Sequence, residues 1–274
     1  MTHDDEERGR ILTRREALAA LGVGGGALAA GRWILGTGPD VALAAQAEGI
    51  ARALPACVAK PEQTEGPFFV DAGLERSDIR SDPSTGAVSD GIPLTLRFNV
   101  SRIAQGDCSA LPGAVVDLWQ CDADGVYSGV EDEGAPAAAR DRQFLRGHQL
   151  TDDDGVARFT TIFPGWYRAR AVHVHFKVRT EVAGQPYEFT SQLYFDEALT
   201  DKVHAQAPYA ARGQRTRMNA DDRIFQDGGE SLLAQVSEAD DGYAATFDLG
   251  LDLTDAETGR PDGGDGRRGR PRRT

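Results

Sequence analysis

The residues that most constrain this chain are 171–176, where Val172, Val174 and Phe176 alternate with His173 and His175. Side chains along a strand point to opposite faces with a period of two. The sequence therefore predicts a strand with both imidazoles on one face and the apolar trio on the other. The chain holds only five histidines, so two on one strand face favour half of a metal site over a pair of solvated side chains. Just upstream, Pro164, Gly165 and Trp166 lead into Tyr167, which brings a phenol toward the same strand end.

The surrounding pattern is that of a sheet protein. Ile92, Leu94, Leu96, Phe98 and Val100 alternate with polar residues, predicting a strand over 90–100. Further strands are expected at 114–121, 156–162, 171–180, 187–195 and 243–249, with a turn cluster at 106–113 and a loop at 129–139. A short helix is expected at 197–206, and 219–233 reads as irregular. Short strands separated by turn signals, with little helix, predict an all-β fold, a β-sandwich of mostly antiparallel strands with long loops. The runs Asp122–Asp124 and Asp152–Asp154 invite a calcium reading. Neither has the spaced acids and distal Glu of a calcium loop, so Asp-Gly turns are expected instead.

A ligand partner for the histidines is sought in turns, and the stretch 122–129 offers Tyr127 beside Ser128. The order of segments, a Gly-x-Tyr-Ser turn and then Pro-Gly-x-Tyr followed by His-x-His, resembles the intradiol ring-cleavage dioxygenases, above all their secreted, protocatechuate-dioxygenase-like branch. Thr64, Glu65, Gly66, Pro67, Phe68 and Phe69 are similar to that family's opening segment, as are Gln192, Leu193, Tyr194 and Phe195 and the stretch 151–167. The likeness runs from about 57 to about 253.

The resemblance implies a non-haem Fe(III) held by Tyr127, Tyr167, His173 and His175, with Tyr127 and His175 equatorial and Tyr167 and His173 axial. Phenolates are hard anionic donors that suit ferric iron, and imidazole suits iron generally. It further implies that Tyr167 yields its place when a catechol dianion binds, and that O2 opens the ring to a cis,cis-muconate. Arg170 matches the family's arginine that stabilises the carbanion-like ring carbon, and Gln192 matches its glutamine partner. Gly66 and Pro67 match the wall of the substrate pocket; Trp166 is a further candidate there, with core packing as its other reading. His148 is given no role. A non-catalytic β-sandwich binding module is the alternative from another functional class.

The chain ends read differently from this domain, taken as 48–253. Arg14 and Arg15 precede a Gly- and Ala-rich apolar run, 17–30, and small residues at 41–47 offer a cleavage site. Residues 1–47 are therefore expected to be a twin-arginine-type export signal, with Ala17 standing where the usual Phe would be. The run falls short of the roughly 20 apolar residues of a membrane span, so no stable membrane anchor is expected. Residues 254–274 are rich in Gly, Pro and charge and are expected to be a disordered tail.

The net charge of −13 makes nucleic acid and anionic membranes poor partners. The expected partners are a small catechol-type molecule and O2, with homo-oligomerisation left open. Of three cysteines, Cys108 and Cys121 flank one predicted strand, too far apart for Cα atoms to approach within about 7 Å. Cys57 paired with one of them is expected.

Overall fold

Alternation along the first long strand decides how the layers face each other. In the computed structural model, which describes residues 59–104, 107–131, 136–255 and 258, β1 (Pro93–Ala104) buries Leu94, Leu96, Phe98 and Val100 on one side. The expected export signal at 1–47, Cys57, and the tail apart from 254, 255 and 258 lie outside the described residues.

β1 runs beyond the predicted 90–100 because it is paired along its length. On one edge it lies parallel to β9 (Gly242–Asp252), from Leu94↔Tyr243 to Ile103↔Asp252. On the other edge two strands follow one another: β5 (Val156–Ile162) from Pro93 to Asn99 and β2 (Asp107–Ala110) from Ser101 to Ala104, both antiparallel. β8 (Gln235–Ala239) closes this five-stranded sheet against β9. The second sheet has the order β4-β3-β6-β7 and is antiparallel throughout. Its strands are β3 (Val115–Trp119), β4 (Arg146–Leu150), β6 (His173–Val182) and β7 (Gln185–Tyr194). This is the expected sandwich. Its core forms where the inner faces meet: Phe98 of the first sheet contacts Phe176 of the second at 5.3 Å between ring centroids, and Phe247 at 5.7 Å.

Phe176 pointing inward fixes the rest of β6. Val174 and Val178 share its face, and His173, His175 and Lys177 take the outer one. The outer face is nevertheless not solvated: His173 and His175 are 2% and 1% exposed. Residues 61–74 lie across it. Gln63 N donates to Thr190 O at 2.9 Å, His148 N to Leu74 O at 2.8 Å, and Lys177 Nζ pairs with Glu65 while standing 4.5 Å over the Phe69 ring.

Turn chemistry accounts for the two Asp runs. Asp152 Oδ1 accepts from Asp154 N and Val156 N, and Asp122 Oδ1 accepts from Asp124 N and Val126 N. Each leading aspartate thus closes its own turn. At Gly155, with φ +73°, a Cβ would stand 2.3 Å from Val100 O, so only glycine fits. The one α-helix among the described residues, α1 (Glu197–His204), starts where Asp196 caps Leu199 N and ends two residues before the expected 206. Cys108 is disulfide-bonded, whereas Cys121 is a buried free thiol.

Candidate metal centre

Two turns bring tyrosines to the outer face of β6. The turn after β3 carries Tyr127, and the segment between β5 and β6 carries Tyr167. They meet backbone to backbone through glycines. Gly165 N donates to Asp122 O at 3.1 Å, and a Cβ on Gly165 would stand 2.4 Å from that oxygen. A Cβ on Gly125 would stand 2.2 Å from Trp166 O. The pairing register supplies the floor: Trp119, His175 and Gln192 lie side by side on β3, β6 and β7, with His173 opposite Tyr194.

The donor atoms converge. His173 Nε2 lies 3.0 Å from His175 Nε2 and 3.2 Å from Tyr167 Oη. His173 Nδ1 lies 2.7 Å from Ala171 O, which can only accept, so Nδ1 carries the proton and Nε2 offers its lone pair. The His175 ring stacks on Trp119 at 5.0 Å and an interplanar angle of 9°. Tyr127 is buried, its Oη has no hydrogen-bond partner, and its ring lies 5.6 Å from that of Tyr167 and 6.2 Å from that of His175.

The electrostatics of the cluster favour a cation beside it. Burial pushes the Tyr127 phenol well above its usual pKa and the Tyr167 phenol up to about 12. Burial, with Arg170 nearby, holds both imidazoles well below theirs. Without metal the cluster is two neutral imidazoles and two protonated phenols. A cation among them reverses the phenol shifts by Coulomb attraction. Among the described residues no group of three His, Cys, Asp or Glu is placed to hold a metal; the oxygen beside the histidine pair is a phenol, Tyr167 Oη, 3.2 Å from His173 Nε2. An imidazole lone pair at His173 Nε2, the His175 Nε2 beside it, a converging phenol and an unpartnered buried phenol fit a hard, highly charged ion.

Arg170 stands beside the donors. Its Nη1 lies 3.4 Å from both Tyr167 Oη and His173 Nε2, and its Nη2 donates to Gln192 Oε1. Nε donates to buried Asp222 at 2.8 Å, and Asp222 also accepts from Ala171 N at 2.8 Å. Burial alone would lower the guanidinium pKa, but Tyr167 and Asp222 outweigh it and raise it. Gln192 Nε2 donates to Thr64 O at 2.9 Å, tying this group to the covering segment. Ala169, between Tyr167 and Arg170, holds φ 71°, a left-handed conformation that L residues rarely adopt.

The structure brings together six of the nine sequence-derived residues: Tyr127, Tyr167, Arg170, His173, His175 and Gln192. Gly66 joins them, since a Cβ there would stand 3.4 Å from His175 Cε1. Pro67 is exposed next to it. Trp166 packs against the main core, with the Arg212 guanidinium 4.7 Å from its ring centre. Three contributors escaped the sequence reading. Phe68 stacks on Tyr127 at 4.3 Å, Trp119 floors His175, and Asp222 holds Arg170. Phe68 stood within a quoted motif and Trp119 within a predicted strand; nothing in the sequence marked Asp222.

A family model described as a dioxygenase matches residues 64–252, which contain every one of these side chains. The chain belongs to the intradiol ring-cleavage dioxygenase family. An intradiol ring-cleavage dioxygenase from Tetranychus urticae is 28% identical and superposes with a TM-score of 0.63, covering 73% of this chain and 97% of that one. Among curated proteins, chlorocatechol 1,2-dioxygenase of Pseudomonas putida is 31% identical over 48% of this chain and 52% of its own length. The protocatechuate 3,4-dioxygenase beta chain of Burkholderia cepacia is 33% identical over 48% of this chain and 59% of its own. The chain thus spans little more than half the length of the curated relatives it matches.

Proposed function

We propose that this chain is a non-haem ferric dioxygenase that opens catechol-type rings between the two hydroxylated carbons. One ring C–C bond breaks, and both atoms of O2 enter a cis,cis-muconate-type product, so no external reductant is needed. The observation that carries the reading is the convergence of His173 Nε2, His175 Nε2 and Tyr167 Oη within 3.2 Å steps, beside the unpartnered buried Oη of Tyr127.

Those four residues would hold the ferric ion. When bound, it supplies a Lewis acid and a template for both catechol oxygens. The chain's own groups do the rest. Tyr167, the more exposed of the two phenols, is placed to take a catechol proton on Oη. Arg170 Nη1, 3.4 Å away, steadies the phenolate before that transfer. Fixed by Asp222 and Gln192, the same guanidinium faces the negative charge that develops on the ring, a preorganised donor of the kind worth roughly 3–4 kcal/mol. Gly66 keeps any side chain back from His175 Cε1, and Phe68 stacks on Tyr127. Arg14 and Arg15 with the apolar run after them support export as part of the same proposal.

The test is a supply of catechol, protocatechuate or a chlorocatechol under labelled O2 to the iron-loaded protein. The reading predicts a ring-opened diacid carrying both labelled atoms. Tight catechol binding with no ring opening would instead leave a binding module.

A further inference from the structure

Arg146 has a feature that folding alone does not explain. It is 3% exposed, and among the described residues its guanidinium meets no carboxylate. Its partners are neutral oxygens: Nε donates to Ser128 Oγ at 3.0 Å, Nη2 to Ser128 O, and Nη1 to Phe68 O at 3.3 Å. A neutral amide could make such bonds without the several kcal/mol of desolvation that a buried charge entails. The positive charge itself therefore needs a reason.

The contacts point to one. Ser128 is the chain neighbour of Tyr127, and Phe68 is the residue whose ring stacks on Tyr127 at 4.3 Å. One guanidinium thus grips the backbone on both sides of that phenol. At neutral pH the side chain stays charged. The backbone supplies a second, independent observation. Leu145, fully buried and immediately before Arg146, holds φ 53°. A left-handed bulky residue is strained by about 1–3 kcal/mol and persists only where its surroundings impose it. Here Leu145 N donates to Ile79 O at 2.7 Å and its carbonyl accepts from Gln120 N at 3.1 Å, which fixes the backbone immediately before Arg146.

We propose that Arg146 is a positioning residue for Tyr127: it fixes the phenol through Ser128 and Phe68 and supplies the buried positive charge that balances an anionic oxygen there. Tyr167 has Arg170 beside its hydroxyl, whereas Arg146 holds Ser128, the neighbour of Tyr127, and Phe68, which stacks on it. The two phenols of the site are thereby made unequal, one held and one free to move. This inference rests on the ferric reading of the site.

The test compares wild type, Arg146→Lys and Arg146→Met by competition of each full-length protein with a ferric chelator, together with the visible spectrum and the thermal midpoint. Lysine keeps the charge and loses the fork; methionine loses both. Supporting residues behind metal ligands typically change affinity 10- to 100-fold. Ferric affinity is expected to fall about tenfold in Arg146→Lys and toward a hundredfold in Arg146→Met. The phenolate-to-iron band is expected to move to longer wavelength in Arg146→Met and to stay in place in Arg146→Lys, because a phenolate without its counter-charge gives up an electron more readily. Should Arg146→Met fail to fold, Arg146→Lys decides: a tenfold weaker grip on iron supports the inference, and wild-type affinity overturns it. Folded variants with wild-type affinity and band position, beside a wild type that binds iron, overturn this inference alone. A wild type that takes up no ferric ion overturns the dioxygenase reading and this inference with it.

Discussion

His173 and Tyr167 stand 3.2 Å apart, yet they are predicted to fail differently. His173→Ala removes a fixed lone pair at the centre of the cluster, so it should lose bound iron and ring cleavage together, as read by metal content and product. Tyr167→Phe leaves the other three donors, so it should keep iron and lose most of its turnover. Arg170→Ala should likewise keep iron while kcat falls about 100- to 1000-fold, the scale of losing one preorganised donor; unchanged turnover would remove Arg170 from the mechanism. Asp222→Asn should lower turnover with KM less affected, since it loosens the guanidinium without touching the substrate. That Tyr167, Arg170, His173, His175 and Gln192 converge was legible because each sits in a short motif beside another member of the cluster. Asp222 was not, because it reaches Arg170 from 52 residues along the chain, out of a segment with no periodicity.

At the scale of elements, the site depends on two turns that touch through glycine. Gly165→Ala would drive a methyl group against Asp122 O and Ala123 O, at 2.4 and 2.5 Å. The variant is predicted to melt lower and to bind iron more weakly, because separating the turns separates Tyr127 from Tyr167. A thermal midpoint and iron content equal to wild type would contradict that. Strands with a buried face were readable from alternation: β1 and β9 bury every second residue. β2, β4 and β8 were missed for physical reasons. β2 is four residues long and lies inside the 106–113 stretch that reads as a turn cluster, β8 is mostly exposed at the sheet edge, and β4 carries Gly147 and Gln149 at the inward positions opposite Leu118 and Val116, where alternation would need apolar residues. All three are strands by hydrogen bonding to a neighbour, which sequence does not display. The 61–74 segment was legible only as a motif; that it roofs two histidines is a tertiary fact.

For the whole molecule, acid should be felt first at buried imidazoles. Burial holds His204 below its ordinary pKa, only partly offset by its bond to Pro164 O at 3.0 Å, and its Nδ1 is buried without a partner. The unfolded chain takes up this proton below about pH 6.5 while the folded one does not, so stability is full above that pH and declines as pH falls through it. The thermal midpoint should therefore drop between pH 7.5 and 5.5, and less steeply in His204→Gln; identical slopes would exclude His204 as a source. The sandwich holds two layers of apolar side chains, and one outer face, roofed by the 61–74 segment, carries all the proposed chemistry. That division makes a single measurement decisive: the visible absorption spectrum of the ferric-reconstituted protein, before and after catechol is added under nitrogen. The account predicts a broad phenolate-to-iron band that shifts to longer wavelength on adding catechol. A colourless protein after reconstitution would contradict it.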